Sequence, residues 1–332
     1  MSAPLLSICI PTYNHGDYVV DTVREMLMAF QTGEVEIVVS DNASTDGTRE
    51  GLAAIADPRL KVFRNACNTG SGQNWLTVLG QATGKYAMLW LDREIFVGGH
   101  ASEVCDRLRT LDAAAGVFVP NLKAIAEDRV IADAYEILKE YGIRIGHPTG
   151  YFFRVADLRD LGVLERLRTV EEPLRTFLPE SLVGALAPRG PFAVCAVPLV
   201  EYRLPPFKGT PVSYTYNTGN YWFLPERMFA WFMIYLRHLR TFVDLPIRRR
   251  FRLYRSFLRQ IRGHCVERYL SILATDYACD YYGIPKSVRI RESGRWLRCR
   301  FVWMVVTCAP GCILDKVLLL LSLPHCRERH HG

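Results

Sequence analysis

The chain has 332 residues, of which 49% are hydrophobic and 23% are charged, and its formal net charge is +7. This length is enough for one large domain or for two, and the high hydrophobic content excludes an intrinsically disordered chain. No run of about 18 uninterrupted apolar residues occurs, which argues against a polytopic membrane protein. Residues 1–202 hold 19 basic and 26 acidic residues, whereas residues 203–332 hold 22 basic and 8 acidic ones. This asymmetry predicts an acidic partner for the carboxyl-terminal half.

The 10 cysteines are scattered through apolar segments and form no Cys-x-x-Cys pair. Such cysteines usually behave as small core residues rather than as zinc ligands, and they favour a reducing compartment such as the cytoplasm. The chain reaches its first apolar stretch at Leu5 without a basic segment or a cleavage site, so we expect no secretory signal.

Short apolar stretches alternate with helical patterns through the first half of the chain. The pattern predicts strands over residues 5–11, 35–40, 60–64, 86–91 and 116–120. It predicts helices, the third with Ser71 as its N-cap, over residues 17–30, 48–56, 71–82 and 101–111. This rhythm is typical of an α/β fold with a mostly parallel sheet and helices on both faces. In such sheets, ligands bind outside the carboxyl ends of the strands.

The character of the sequence changes after Arg203. Before it, residues 173–187 indicate a helix and residues 192–200 a strand, and after it a loop covers residues 205–220. Further helices are predicted over residues 228–240, 246–262, 266–282 and 312–323. We therefore expect a ligand-binding domain over residues 1–203 and a basic, all-α region over residues 204–332.

Four polar motifs lie at predicted strand ends or helix starts: Pro11–Asn14, Ser40–Thr48, Asn68–Asn74 and Trp90–Glu94. A carboxylate directly after a parallel strand, such as Asp41, can accept hydrogen bonds from a base or a ribose. In an extended segment Asp92 and Glu94 would point to the same side, where they would suit Mg²⁺ or Mn²⁺ bridging to substrate phosphates. Gly70 and Gly72 lack the third glycine of a dinucleotide fingerprint, so they either shape a loop near a diphosphate or start a helix.

As a set, these motifs resemble a bacterial family 2 glycosyltransferase with the GT-A (Rossmann-like) fold. The matching blocks are SICIPTYN at residues 7–14, EIVVSDNASTDGT at 36–48, Asn68-Thr69-Gly70 with Asn74, and Leu91-Asp92-Arg93-Glu94. The resemblance extends to residues 198–203, which are similar to the segment that closes the family's catalytic domain. It implies transfer of a sugar, usually with inversion, from a nucleotide-diphosphate sugar to a glycan or lipid-linked acceptor. Capsule or O-antigen polysaccharide synthesis and a divalent metal cofactor, Mg²⁺ or Mn²⁺, are implied with it.

The resemblance also implies roles for individual residues. Pro11 and Tyr13 would flank the nucleobase, and Asp41 would bind the base or the ribose. Asp92 would lie by the ribose and the metal, and Glu94 would ligate the metal in place of the family's usual aspartate. The remaining residues expected in the nucleotide-sugar site are Asn14, Asn68, Gly72 and Asn74.

The catalytic base, which takes the proton of the acceptor hydroxyl, is less clearly marked in the sequence. The family places an acidic pair before the closing strand, and a Glu-Asp pair is absent at the expected spacing from Arg203. Glu180 falls closest to that spacing, and Glu171 or Glu172 is the alternative. Glu180 also fits a solvated carboxylate at a helix amino terminus, where acids are favoured in any case. His147 lies in a Gly/Pro loop and is either a residue facing the acceptor or an ordinary surface histidine.

The carboxyl-terminal region combines aromatic residues, apolar faces and clustered arginines. These features suit helices that lie on an anionic membrane surface, although a helical bundle with a solvated basic face would share them. Nucleic acid is not expected as a partner, because no nucleic-acid-binding motif accompanies the charge. We therefore expect a cytoplasmic protein that is peripheral on the cytoplasmic face of the inner membrane.

Two other functions fit parts of the sequence. A sugar nucleotidyltransferase shares the strand–helix rhythm, but it requires a Gly-rich loop with Arg and Lys where Pro11–Asn14 stands. A catalytically inactive binding or scaffold subunit would tolerate the Glu94 departure and the missing acidic pair.

Overall fold

The computed structural model describes residues 3–118, 127–144, 148–170, 175, 177–201, 223–276, 284, 294–308 and 313–323. The chain folds into two compact units, Met1–Pro205 and Pro206–Gly332. The predictions for His147, Glu171 and Glu172 and for the loop at 205–220 fall outside the described residues.

The amino-terminal unit alternates strands and helices. Its strands are β1 (Leu6–Thr12), β2 (Val35–Asp41), β3 (Leu60–Arg64), β4 (Tyr86–Leu89), β5 (Ile95–Phe96), β6 (Ala115–Phe118), β7 (Arg129–Ile131), β8 (Tyr151–Arg154), β9 (Phe192–Cys195) and β10 (Val200–Glu201). Its helices are α1 (Gly16–Ala29), α2 (Thr48–Ala53), α3 (Ser71–Gly80), α4 (Ala101–Thr110), α5 (Ala134–Tyr141), α6 (Val155–Asp160), α7 (Val163–Thr169) and α8 (Leu178–Leu186).

A single large sheet organises this unit, and the predicted α/β class with a mostly parallel sheet is confirmed. The strand order is β3-β2-β1-β4-β8-β6-β9-β7, and β10 pairs with β5 in a small antiparallel ribbon. In the large sheet, β1–β2, β1–β4, β2–β3 and β6–β9 are parallel pairs, and β4–β8, β6–β8 and β7–β9 are antiparallel. The four adjacent strands β3, β2, β1 and β4 are therefore mutually parallel, and they are the strands that the sequence motifs follow.

Helices cover both faces of the parallel strands because successive strand residues point to opposite sides. Leu6, Ile8 and Ile10 of β1 join a core that includes Val23 of α1 and Val104 of α4. The alternate residues of β1 face the other side, where α3 contacts β1, β2 and β4. All seven residues of both β1 and β2 are buried, as expected for strands covered twice.

Three local predictions in this unit were wrong. Ser71 is the first residue of α3, and the cap position is held by Gly70 at φ +83°, a conformation that glycine adopts without strain. The fourth strand ends at Leu89 rather than Leu91, because the chain turns immediately afterwards. The strand predicted over 192–200 is interrupted and becomes β9 and β10, which belong to different sheets.

The carboxyl-terminal unit is helical in its described parts, which confirms the predicted all-α region. Its helices are α9 (Pro225–Leu239), α10 (Ile247–Arg262), α11 (Tyr269–Leu273), α12 (Gly294–Thr307) and α13 (Ile313–Leu321). Residues 263–268 form a π-helical segment that joins α10 to α11 without a break, so the gap predicted after Arg262 is absent. Helix α12 was not predicted. No helix within the described ranges is both long enough and apolar enough to cross a bilayer.

A buried carboxylate joins the amino-terminal ends of the central strands. Glu36 of β2 accepts hydrogen bonds from Ser7 Oγ of β1 at 2.5 Å and from the Thr83 amide at 2.8 Å, and it pairs with Lys61 of β3. Burial by itself would raise the pKa of Glu36, but these donors hold it below the ordinary value of 4.5. The network therefore stabilises the sheet only while Glu36 is ionised.

We predict that this contribution disappears in acid. Because the folded pKa of Glu36 lies below the unfolded one, its stabilisation is present above the unfolded pKa and is lost as the pH falls through the folded pKa. Glu36→Gln should lower the free energy of unfolding by about 2 kcal/mol at neutral pH and by much less near pH 3. Urea titrations of both proteins at the two pH values measure this, and an equal difference at both would contradict it.

Gly116 of β6 provides a test of packing at the centre of the sheet. A Cβ atom at this position would lie 2.6 Å from the Ala193 carbonyl oxygen and would overlap the Phe152 ring. We expect Gly116→Ala to destabilise the protein by about 1–3 kcal/mol, because the neighbours are a backbone atom and a buried ring. Gly33→Ala, where a Cβ meets nothing within 4 Å, is the control for thermal unfolding. Equal melting temperatures for the two variants would show that this close packing does not limit stability.

Candidate functional site

The carboxyl ends of β1 and β2 meet at one edge of the sheet. Thr12 and Asp41 are register partners, and the next amide, that of Asn42, donates to the Thr12 carbonyl at 2.9 Å. The neighbouring strand β3 ends at Arg64, which is the register partner of Asp41. The structure thus places the ends of these strands, and the loops that follow them, side by side.

Asp92 lies at this edge, held by two residues from the end of β1 and the loop after it. Its Oδ2 atom accepts a hydrogen bond from Thr12 Oγ1 at 2.7 Å and lies 2.8 Å from His15 Nδ1. The carboxylate is buried and His15 is partly exposed, so the pair is open to solvent on the histidine side. Both contacts use Oδ2, and within the described part of the chain Oδ1 is the oxygen left for a ligand.

The segment from Leu91 to Glu94 is a turn rather than the extended strand end that the sequence predicted. The Glu94 amide donates to the Leu91 carbonyl at 3.1 Å, which closes the turn. Thr22 of α1 donates from its hydroxyl to the Asp92 carbonyl at 3.1 Å and lies 3.4 Å from the Glu94 carbonyl. Strand alternation therefore does not position Asp92 and Glu94, and their placement depends on this turn and its support from α1.

Glu94 is buried like Asp92, and the two carboxylates are two positions apart in the same turn. Within the described residues, no cluster of three or more His, Cys, Asp and Glu side chains forms a metal site by itself. A hard cation such as Mg²⁺ or Mn²⁺ commonly takes one or two carboxylates and completes its shell with phosphate oxygens and water. The carboxylate oxygens of Asp92 and Glu94 therefore fit a metal ion of this kind that binds together with a diphosphate.

Asp41 is one of the most buried carboxylates of the unit, with 1% exposure. Its Oδ1 accepts the Ser44 amide at 2.9 Å, and its Oδ2 pairs with the Arg64 guanidinium. Arg64 also donates to the Ser44 carbonyl at 2.8 Å. The arginine remains partly exposed, so this edge presents a cation next to the carboxylate that the sequence motifs indicated.

Asn14 ties the loop after β1 to the loop after β2. The Asn14 amide donates to Ser44 Oγ at 2.9 Å, and its side-chain Oδ1 accepts the Thr45 amide at 2.8 Å. Asn14 and Ala43 both have positive φ, at +53° and +62°, which asparagine tolerates better than most residues. These contacts fix the two loops against each other.

Asp46 extends the same connection to helix α1. Burial would raise its pKa, but hydrogen bonds from Thr48 and from the Gly16 amide hold that pKa below the ordinary value. The Gly16 amide, at the first turn of α1, donates to Asp46 Oδ2 at 3.1 Å. The loop after β2 is therefore anchored at both of its ends.

Asn68 and Asn74 form hydrogen bonds within the protein. Asn74 is buried; its Oδ1 accepts Ser40 Oγ at 2.6 Å and its Nδ2 donates to the Ser40 carbonyl at 2.9 Å. Asn68 accepts from Asn42 Nδ2 at 2.7 Å and from the Gly70 amide at 2.9 Å. These two residues brace the ends of the strands and the loop before α3.

Pro11, Tyr13 and Gly72 are the other residues predicted for the nucleotide-sugar site, and they differ in burial and packing. Pro11 is buried in β1, whereas Tyr13 follows the strand with 38% exposure. Gly72 lies in the first turn of α3, where an added Cβ would meet Arg175 Cβ at 2.6 Å. Gly72 therefore permits close approach of Arg175 to the helix start.

Glu180 lies in the first turn of α8 and is 2% exposed, so it is not a solvated helix-terminal carboxylate. Burial, and next the charge of Glu180, raises the pKa of the Tyr151 hydroxyl above its ordinary range. Tyr151 begins β8, and the preceding Gly150 amide donates to the Leu89 carbonyl at the end of β4.

Three residues of this edge were not predicted from the sequence: Thr12, His15 and Arg64. Each follows or ends a parallel strand, and this position in the sequence could have identified it as a candidate site residue. Arg64 is the clearest case, because a cation that is the register partner of Asp41 was predictable once β3 was assigned.

Sequence comparison identifies relatives for part of this chain. The pattern of the family Glycosyl transferase family 2 matches residues 7–94, from β1 to the turn that holds Asp92 and Glu94. The chain is 35% identical over 94 residues to abequosyltransferase RfbV of Salmonella typhimurium, covering 26% of this chain and 27% of that protein. It is 32% identical over 135 residues to chondroitin synthase of Escherichia coli, covering 40% of this chain and 19% of that protein. The matches span between 19% and 35% of the length of the curated relatives.

Structural comparison extends over most of the chain. The structure of S. aureus TarS 1-349 in complex with UDP superposes with a TM-score of 0.58 and 15% sequence identity, covering 95% of this chain and 90% of that chain. The complex of the same protein with UDP-GlcNAc gives a TM-score of 0.56 at 15% identity, covering 86% and 91%. At this identity the likeness establishes the fold.

The bracing role of Asn74 gives a testable prediction. Asn74→Ala removes hydrogen bonds to buried groups of Ser40 and should lower the free energy of unfolding by about 1–3 kcal/mol. Gln81→Ala, at the exposed carboxyl end of the same helix, is the matched control and should leave stability within about 0.5 kcal/mol of wild type. Denaturant titration measures both values, and a neutral Asn74→Ala would contradict the bracing role.

Proposed function

We propose that this chain, whose residues 7–94 match the pattern of glycosyl transferase family 2 and whose fold is similar to that of solved GT-A enzymes, is an inverting glycosyltransferase. Its donor is a nucleotide-diphosphate sugar, and its acceptor is a hydroxyl of a glycan or glycolipid in cell-surface polysaccharide synthesis. The observation that carries the proposal is the strand edge where Asp41 with Arg64 and Asp92 with Thr12 and His15 lie at the ends of neighbouring parallel strands.

The chemistry of this edge suits a nucleotide. Asp41, fixed by Ser44 and Arg64, provides a carboxylate acceptor for the donor groups of a base or ribose. Tyr13, exposed at the end of β1, offers a ring on which a base can stack. The TarS complexes with UDP and UDP-GlcNAc are similar folds that hold nucleotides of this class, which supports the assignment.

Asp92 and Glu94 would hold a divalent cation, Mg²⁺ or Mn²⁺, together with the diphosphate. When bound, such a cation stabilises the negative charge that develops on the leaving diphosphate. Thr12 and His15 orient the Asp92 carboxylate, and Thr22 supports the turn that carries both acids. A similar fold, the mannosyltransferase PcManGT from Pyrobaculum calidifontis, is described in complex with GDP-Man and Mn²⁺.

Glu180 is the proposed catalytic base. In the reaction the acceptor oxygen forms a bond to the anomeric carbon, the bond from that carbon to the diphosphate oxygen breaks, and Glu180 takes the hydroxyl proton. Its burial in the first turn of α8 supports this choice, because a solvated helix-terminal carboxylate, the other interpretation of the sequence, would be exposed. Glu171 and Glu172 are the alternatives.

The basic carboxyl-terminal unit supports a location at a membrane. A cytoplasmic enzyme held peripherally on an anionic inner-membrane surface would meet a lipid-linked acceptor there. The relatives named putative teichuronic acid biosynthesis glycosyltransferase TuaG of Bacillus subtilis and succinoglycan biosynthesis protein ExoO of Rhizobium meliloti carry names from polymer biosynthesis, in agreement with this setting.

We predict that substitution of the proposed cation ligand Glu94 impairs nucleotide binding, whereas substitution of the proposed base Glu180 impairs turnover. Glu94→Ala should abolish Mn²⁺-dependent binding of UDP, GDP or dTDP, because it removes a cation ligand. Glu180→Gln should leave nucleotide binding intact and lower the turnover of the matching nucleotide sugar by about 10²–10⁴-fold, since it removes the base but keeps the shape. Calorimetry measures the binding, and release of nucleoside diphosphate from a panel of UDP-, GDP- and dTDP-sugars measures turnover.

Glu50→Gln is the matched control, because Glu50 is an exposed carboxylate in the first turn of α2. It should retain both binding and turnover. Nucleotide binding with no turnover of any donor by the wild-type protein would favour the inactive binding subunit instead. Unchanged turnover in Glu180→Gln would remove Glu180 as the base and direct attention to Glu171 and Glu172.

A further inference from the structure

The carboxyl-terminal unit exposes an unusual amount of apolar surface. Of the fourteen large hydrophobic side chains that the described residues expose, nine belong to α12 and α13. Trp303 is 64% exposed, Ile313 85% and Leu321 65%. Single exposed apolar residues are common on soluble proteins, but a concentration on two packed helices marks an interaction surface. We call this set the apolar patch; its members are Trp296, Val302, Trp303, Val306, Ile313, Leu314, Val317, Leu320 and Leu321.

Polar anchors fix the orientation of α13 and hence of the patch. Asp315 is fully buried; its Oδ1 accepts the Tyr254 hydroxyl of α10 at 2.8 Å and its Oδ2 accepts Arg240 Nη1 at 3.0 Å. Burial, and next Asp315, raises the pKa of Tyr254, so its hydroxyl stays protonated and continues to donate. Leu318 and Leu319 are buried as well. These contacts bury one side of α13. The other side, which carries the α13 residues of the apolar patch, therefore faces solvent although it is apolar.

Lys316 joins α13 to the end of α12. Its Nζ donates to the carbonyls of Val305 at 2.9 Å and of Cys308 at 2.7 Å, which lie at the carboxyl end of α12. A cation at this position also offsets the negative end of the helix dipole. The two helices that carry the apolar patch are thus tied together by a defined contact.

A stripe of cations lies on α10 of the same unit. Arg248, Arg252, Arg255 and Arg259 recur at helical spacing and are exposed, while Leu253 and its neighbours on the other face are buried. Among the described residues, none of these four arginines has a carboxylate partner. Helix α10 contacts α13, so the unpaired cations and the apolar patch belong to one packed group of helices.

We propose that α10, α12 and α13 form the surface by which this protein binds an anionic lipid bilayer. The apolar patch enters the interface between headgroups and acyl chains, where tryptophan is favoured, and the arginine stripe contacts lipid phosphates. A second copy of the chain fits less well, because self-association would bring together surfaces of the same positive charge. This surface rests on the membrane location given under the proposed function and does not depend on the chemistry proposed there.

Vesicle flotation of the full chain tests the surface. Wild type should float with vesicles of phosphatidylcholine and phosphatidylglycerol, and less with phosphatidylcholine alone. The double variant Trp303→Glu, Ile313→Glu should lower the partition coefficient at least about tenfold. The double variant Arg252→Ala, Arg255→Ala should lower it about tenfold at low salt and by less at high salt, where screening already weakens the attraction.

The control is Met28→Glu with Val130→Glu, which changes two exposed apolar residues of the amino-terminal unit and matches the charge change. It should float like wild type, and so should Glu180→Gln. Absence of turnover with every donor in a wild-type protein that floats normally would contradict the proposed function alone. Failure of wild type to bind anionic vesicles, or an equal loss in the control, would overturn the surface.

Two further measurements make the result independent of variant folding. Vesicles with brominated acyl chains should quench tryptophan fluorescence in wild type, and Trp303→Phe, which keeps the fold and the charge, should reduce that quenching at least about twofold. Unaltered quenching would overturn insertion of Trp303. Sedimentation gives the oligomeric state. If the Trp303→Glu, Ile313→Glu variant dissociates an oligomer but binds vesicles as wild type does, the apolar patch is the contact with a second copy of the chain, and the lipid surface is overturned.

Discussion

The parallel pairing of β1 with β2 and β4 is the constraint on which the rest of the candidate site depends. Parallel strands end at the same edge, so Thr12 and Asp41 become neighbours and the turn after β4 reaches them. The side-chain contacts of the site are then local to that edge. Asn14 joins two loops, Arg64 pairs with Asp41, and Thr12 and His15 hold Asp92. A shift of one strand by one residue relative to its partner would turn that strand's side chains to the opposite faces of the sheet. Thr12, Asp41 and Asp92 would then no longer lie together.

The edge has a consistent electrostatic character. Its carboxylates are buried and accept hydrogen bonds, which offset the loss of their contact with water. Asp41 has a guanidinium and a backbone amide, and Asp92 has a hydroxyl and an imidazole nitrogen. Such groups repel a diphosphate unless a cation lies between them, which is the physical reason for proposing a metal at Asp92 and Glu94. At the opposite end of the sheet, Glu36 is paired in the same way but serves only the fold.

Much of this arrangement was predictable because it follows from strand periodicity. The strand over residues 60–64 was predicted with the bounds observed, and the α/β class and the strand-end location of Asp41 follow from the same pattern. The turn at Leu91–Glu94 was not predictable, because it depends on one amide–carbonyl bond and on Thr22 from a helix distant in sequence. The burial of Glu180 also required the packed structure, since acids in a first helical turn are usually solvated. In the carboxyl-terminal unit, apolar runs alone could not predict the continuous helix through the π-helical segment or the patch on α12 and α13.

We propose that the edge formed by β1, β2 and β4 binds a nucleotide-diphosphate sugar with a divalent cation. A crystal structure of the protein with Mn²⁺ and the nucleoside diphosphate that binds in calorimetry would test this binding site. We expect the base beside Tyr13 and Asp41, and the diphosphate and the cation beside Asp92 and Glu94. A nucleotide bound elsewhere on the chain, or at this edge with the cation away from both Asp92 and Glu94, would contradict the claim.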